Sequence, residues 1–132
     1  MKNLLLYFLI ILTSTVFGQT SFNDCAAICI NDVVLVNDYS PRGQCTLKLD
    51  ATGRLTVNTV NLSDNAIIPQ KTISFKIAIR DAKTNTVWSF SEKTFTNLNV
   101  EKVLAKCKEA DHIIILTTDQ TFALPHNEIL VQ

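Results

Sequence analysis

The sequence predicts a mainly β fold, α+β at the margin: an antiparallel β-sandwich or open barrel of about seven or eight strands with one helix near residues 99–109. Three observations predict it. Apolar and polar residues alternate over short runs, as in Ile73, Phe75, Ile77 and Ile79 against Ser74, Lys76, Ala78 and Arg80. Runs of Asn, Asp, Ser, Pro and Gly interrupt the chain at frequent intervals. Helical period occurs in one stretch, Val100, Val103, Leu104 and Cys107 at i, i+3, i+4 and i+7.

The N-terminus reads as an export signal. Lys2 precedes an apolar run, Leu4–Leu12, then Thr13, Ser14, Thr15 and the tripeptide Val16-Phe17-Gly18. A basic start, an apolar stretch and a small residue at the cut, in that order, are what signal peptidase recognises. The apolar run is far shorter than the roughly 20 residues of a membrane span. Residues 1–18 are therefore expected to be cleaved, leaving 114 of the 132 as one secreted or periplasmic domain, 19–132, with no membrane span. Without Lys2 that domain carries eleven basic against twelve acidic residues. Such a balance disfavours nucleic acid, whose phosphates need clustered Lys and Arg.

Four cysteines, Cys25, Cys29, Cys45 and Cys107, follow the cut. An even count in a small exported domain points to disulfides, with three connectivities possible. The expected pattern staples the N-terminal segment twice, once to the Cys45 strand and once to the Cys107 helix. Cys25-x-x-x-Cys29 lacks the C-x-x-C spacing of metal or redox pairs.

The mature elements follow in order. Val33–Val36 reads as a strand, preceded by an earlier strand or short turn at the cysteines, and Asn37–Gly43 as a loop. Cys45, Leu47 and Leu49, then Leu55 and Val57, alternate on either side of Asp50-Ala51-Thr52-Gly53, which predicts a hairpin with Gly53 at positive φ. Asn61–Lys71 reads as a connecting loop, with Ala66-Ile67-Ile68 tucked beneath it and a glycosylation triplet at Asn61-Leu62-Ser63. Ile73–Ile79 is the longest alternating strand; Asp81–Asn85 turns it into Thr86–Phe90, which carries Trp88. Asn97 or Asn99 can cap the helix, and Lys106 and Lys108 suit its last turn. Ile113–Leu116 is a continuous apolar strand; Thr121–Leu124 and Ile129–Val131 are short ones. Phe90, Phe95 and Phe122 are expected in the core rather than lining a partner surface.

Catalytic and cofactor signals are thin. No Gly-x-Ser-x-Gly turn occurs, and a mature chain with only Gly43 and Gly53 cannot build a Gly-rich phosphate loop. No catalytic residue, cofactor-binding residue or metal ligand is assigned. The histidines, His112 and His126, could join Asp111, Asp119 or Glu128 in a two-His-one-carboxylate set, but their spacing does not require it.

The stretch Val103-Leu104-Ala105-Lys106-Cys107-Lys108-Glu109-Ala110-Asp111-His112-Ile113-Ile114, followed by Phe122-Ala123-Leu124-Pro125, resembles the C-terminal domain of the gliding-motility and type IX secretion periplasmic protein GldM. That family has Gly-Asp before the apolar strand, where this chain has Ala110-Asp111. The resemblance spans Ile73 to Val131. It implies a β-rich periplasmic assembly domain and carries over no binding residue. The expected function is an exported, non-enzymatic binding or assembly module with a protein partner, acting through strand edges or the loops Asn37–Gly43 and Asn61–Lys71. The alternatives are a small secreted inhibitor or ligand-binding protein, and a small hydrolase.

Overall fold

Residues 25–62 and 66–132 are described by the structure, a computed structural model. The expected signal, Met1–Gly18, and Ser63 of the glycosylation triplet lie outside the described residues.

The chain forms two sheets. Strands β1 (Ala26–Ile30), β2 (Val33–Val34), β4 (Arg54–Leu62) and β5 (Ile67–Ile73) lie in the order β2-β1-β4-β5, and β8 (Leu98–Asn99) pairs with β4. The second sheet has the order β3-β10-β9-β6-β7, from β3 (Cys45–Leu47), β10 (Glu128–Val131), β9 (His112–Thr117), β6 (Phe75–Arg80) and β7 (Val87–Ser89). Between them, Ile28, Leu55, Val57 and Ile73 of the first sheet meet Phe75, Ile77, Ile79, Ile113, Ile115, Ile129 and Val131 of the second. The one described helix, α1 (Val100–Leu104), adds Val100, Val103 and Leu104 to this core. The mainly β sandwich with a single short helix agrees with the sequence reading.

The first sheet is curled: β2 comes back against β5 although two strands separate them. Its opening hairpin is made by Asn31 and Asp32, both at positive φ (52° and 65°), the two-residue turn whose twist matches its strands. A shift in register between Asn58 and Val60 adds a bulge to the β4–β5 pair, which bends the strand.

Several expected elements are rearranged. Cys45–Val60 is not a hairpin: β3 runs parallel to β10 in the second sheet, whereas β4 lies in the first. The Asp50–Gly53 segment carries the chain between sheets, and Leu49 is left 42 % exposed. Gly53 does take positive φ (138°), and its task is the junction. An added Cβ would come within 2.8 Å of Ile30, while its carbonyl accepts the Val100 N–H (2.9 Å). The expected Asn61–Lys71 loop contains the end of β4 and most of β5; Ile68 is 46 % exposed, not tucked away. The Ile73–Ile79 strand divides at Ser74, where the chain steps between sheets with Ile73 and Phe75 both kept in the core. Thr121–Leu124 forms no strand, contributing only a bridge from Ala123 to Cys25. The helix stops at Leu104, so Lys102 occupies its last turn; Asn99 is the N-cap residue by position, without a side-chain capping bond.

Asp111 closes the end of the second sheet. It is 2 % exposed, and its carboxylate accepts the N–H groups of Ala82 (3.0 Å) and Lys108 (2.8 Å). This fastens the β6–β7 turn to the segment after the helix. Beside it, Asp81 accepts Lys108 Nζ (2.9 Å) and the N–H groups of Lys83 and Thr84. The Lys108 hydrogen bond first, then those two N–H groups, hold the Asp81 carboxyl well below the ordinary carboxylate range.

Candidate functional site

An antiparallel sheet with one face on the core usually turns polar side chains outward. The outward face of the second sheet departs from that pattern. Its register sets Thr46, Leu130, His112, Arg80 and Val87 in one row across the strands. Glu128, Ile114, Ala78 and Ser89 form the next row, and Leu116 and Lys76 a third. Val87 is 53 % and Leu116 48 % exposed, with Ile114 and Leu130 half-buried between the charged groups.

At the β10 end this face deepens into an open groove of about 720 Å³. Its floor includes His112, Glu128 and Leu130; its walls are the Tyr39–Gln44 loop and Pro125–Asn127. The loop is closed on itself. Asn37 N–H donates to the Gln44 carbonyl (3.2 Å), Gln44 N–H to Asn37 Oδ1 (2.9 Å) and Gly43 N–H to the Ser40 carbonyl (2.9 Å). Gly43 permits this closure, because a Cβ there would stand 1.8 Å from the Asp38 carbonyl oxygen. Two aromatic groups then pin the loop down. The Tyr39 hydroxyl donates to the Ala26 carbonyl (3.0 Å), and the Tyr39 ring meets His126 edge-on at 5.2 Å. His126 Nε2 donates to the Ser40 carbonyl (2.6 Å), since a carbonyl can only accept. Nδ1 of His126 is buried without a hydrogen-bond partner. Burial first, then the neighbouring Cys25 thiol, pushes the Tyr39 hydroxyl above its usual range, so it remains a donor.

On the floor, Glu128 Oε2 accepts Arg80 Nη2 at 2.5 Å. His112 Nδ1 lies 3.4 Å from the same oxygen, close enough to pair if protonated but not aligned as a hydrogen bond. Of the carboxylates that the sequence offered to the histidines, Glu128 is the one brought to His112. Asp111 is committed to backbone N–H groups, and Asp119 binds the Thr121 N–H (2.9 Å). His112 and His126 do line one groove, yet among the described residues no three His, Cys, Asp or Glu side chains gather as a metal site. Arg80 and Tyr39 were missed. The alternation that puts Ile77 and Ile79 inward could have marked Arg80 as an outward cation on the histidine strand's neighbour. No sequence signal marks Tyr39.

All four cysteines are free thiols in this structure. The double staple does not suit the fold. Cys29 alternates with Ala26, Ile28 and Ile30, which face the core, and so points to the other side of its sheet. Cys45 and Cys107 are on the core side, with a whole sheet between them and Cys29. Burial pushes Cys29, Cys45 and Cys107 up to about 11, so at neutral pH these groups are thiols, not thiolate nucleophiles. Among the described residues no helix is long and apolar enough to cross a membrane. Comparison with known protein families, with curated proteins and with solved structures finds no match for this chain.

Proposed function

We propose that this chain is an exported, non-enzymatic binding or assembly module that engages a protein partner through the outward face of its second sheet. The observation that carries the reading is the exposed Val87 and Leu116, with the half-buried Ile114 and Leu130, on a face that no described element covers. Exposed apolar side chains grouped and rimmed by charge are the usual composition of an interaction surface. Here Arg80, Lys76 and Glu128 lie interleaved with the apolar side chains. The GldM-like stretch supports an assembly role. Export rests on the Met1–Gly18 pattern and on the even cysteine count.

The test is a tagged pull-down after brief cross-linking in the native envelope, with the unaltered protein and Leu116→Glu compared side by side. A stoichiometric protein held by the unaltered chain and lost with Leu116→Glu supports the reading; a bait that recovers no protein removes it. Counting alkylated thiols by mass spectrometry without reductant tests the disulfide part. Four alkylated cysteines would remove the argument for export built on the even cysteine count.

The groove supports a second reading, that of a ligand-binding protein. Its width, its fixed Tyr39–Gln44 wall and the unpartnered His126 Nδ1 suit a small polar molecule better than a flat protein surface. Chemical-shift changes confined to the groove on titration with a metabolite or glycan set would favour it.

A further inference from the structure

The second sheet ends in β7, and no described strand pairs with its outer edge. Asp81 N–H donates to the Thr86 carbonyl and Phe90 N–H to the Ile77 carbonyl. Together with the Ile79–Trp88 register, these bonds turn the backbone groups of 86, 88 and 90 toward β6. Alternation then turns the N–H and C=O of Val87 and Ser89 away from the sheet, on a strand exposed along its whole length. Sheet edges are normally blunted by Lys, Pro, a bulge or extreme shortness. The outer strand of the first sheet follows this rule, for β5 carries Pro69 and Lys71 and faces a bulge, and β2 is two residues long. The β3 edge is flanked by the Asn37–Gln44 closure. The segment Thr84–Ser91 has no charge and no proline, and presents Val87 and Trp88, 53 % and 40 % exposed.

We propose that β7 pairs with β7 of a second copy of this chain. Backbone groups spaced as these are match only another extended strand. The edge is also complementary to itself: in an antiparallel two-fold pair, Val87 of each copy faces Ser89 of the other, and both residues donate and accept. Trp88 then meets Trp88 of the second copy on the same face, a non-hydrogen-bonded position where side chains approach most closely. Each five-stranded sheet becomes half of a ten-stranded one, and the two outward faces join at Val87. Three residues a side make a small contact, so the dimer is weak, with a dissociation constant of about 10–100 µM. The proposal deepens the assembly reading but does not depend on the partner of the outward face.

The test is analytical ultracentrifugation of the purified protein across that concentration range, with Val87→Pro and Val87→Lys. Proline removes an N–H that faces away from β6 and leaves the internal ladder intact, and lysine restores the usual edge protection. The expected result is a concentration-dependent dimer whose dissociation constant rises at least about tenfold in both variants, with unchanged far-ultraviolet circular dichroism. A protein that stays monomeric throughout, or a dimer indifferent to both folded variants, overturns the proposal. Partner capture by a monomeric Val87→Pro chain would separate that failure from any failure of the assembly reading.

Discussion

In the second sheet, β6, β9 and β10 bury Ile77, Ile79, Ile113, Ile115, Ile129 and Val131 on one side and turn Lys76, Arg80, His112 and Glu128 to the other. In the first sheet, β1 and β4 are dry on both sides. Ala26, Ile28, Leu55 and Val57 face the core, while Ala27, Cys29, Thr56 and Asn58 are buried on the opposite face. A half-wet strand writes its geometry as alternation, because water selects every second residue. A strand buried on both faces can show the same alternation, as β4 does, when hydrogen-bonded polar side chains fill its second face. The Thr56 hydroxyl donates to Asn58 Oδ1 at 2.7 Å, so two residues that look like an exposed polar row form a buried pair.

If one core joins these unlike sheets, its centre should fail for both together. Phe75 is 0 % exposed, stands one residue past the step between sheets and packs against Phe95 at 6.2 Å. Phe75→Ala is expected to cost about 3–5 kcal/mol, from lost burial and the cavity left behind. Urea denaturation followed by tryptophan fluorescence and by circular dichroism should show one coincident transition, shifted to lower urea. Two separate transitions would mean that the sheets melt independently.

Asp111 tests whether a buried polar group in the legible sheet matters as much as one in the other. Asp111→Ala removes two charge-assisted hydrogen bonds and strands the Ala82 and Lys108 N–H groups, at a cost of about 3 kcal/mol. Faster hydrogen exchange at Ala82 and Lys108 would accompany the loss; a stability change within about 0.5 kcal/mol would show that the two ends are held by other means.

A matched pair of threonines sharpens the contrast between faces. Thr56→Val keeps the shape but leaves Asn58 Oδ1 without its donor, which is expected to cost about 1–2 kcal/mol. Thr46→Val, on the outward face of β3, is expected within about 0.5 kcal/mol of neutral. Equal effects at the two sites, read from denaturation midpoints, would break the distinction.

This difference also sets how far the fold was legible. The β6 pattern and the α1 face followed from periodicity, because each has one wet side, whereas β9 and β10 were marked by the apolar runs Ile113–Leu116 and Ile129–Val131 and the Asp81–Asn85 turn by its polar residues. The β4 strand was marked by Leu55 and Val57 alternating with Thr56 and Asn58, but that alternation implied a wet face that is buried, and β5 was missed because Asn61–Lys71 is rich in loop-forming residues although its strand sits at an edge. The Cys45–Val60 hairpin failed for a different reason. Asp50–Gly53 has turn chemistry, but turn chemistry says only that the chain bends, and parallel pairing of β3 with β10 depends on residues some eighty positions away. The groove was half legible: its loop and both histidines were marked as polar features, while the meeting of His112 with Arg80 and Glu128 is set by the register of three strands.

One small expected effect has the opposite sign. Ala110 has φ of 74°, yet its N–H donates to the Val131 carbonyl (2.8 Å), so it must hold that conformation for β10 to dock beside Asp111. An L-residue in the left-handed region costs about 1–2 kcal/mol, and glycine escapes that cost. Glycine also loosens the unfolded chain, which returns about 0.4–1 kcal/mol of the gain. Ala110→Gly is therefore expected to stabilise the protein by about 0.5–1 kcal/mol and to raise the melting temperature by a few degrees, about 2–5 °C by calorimetry. The sign is the informative part. A glycine in an ordinary bend loses stability, so a lower melting temperature would show that the segment before β9 relaxes away from positive φ in solution, and that Asp111, not the backbone at Ala110, sets where β10 ends.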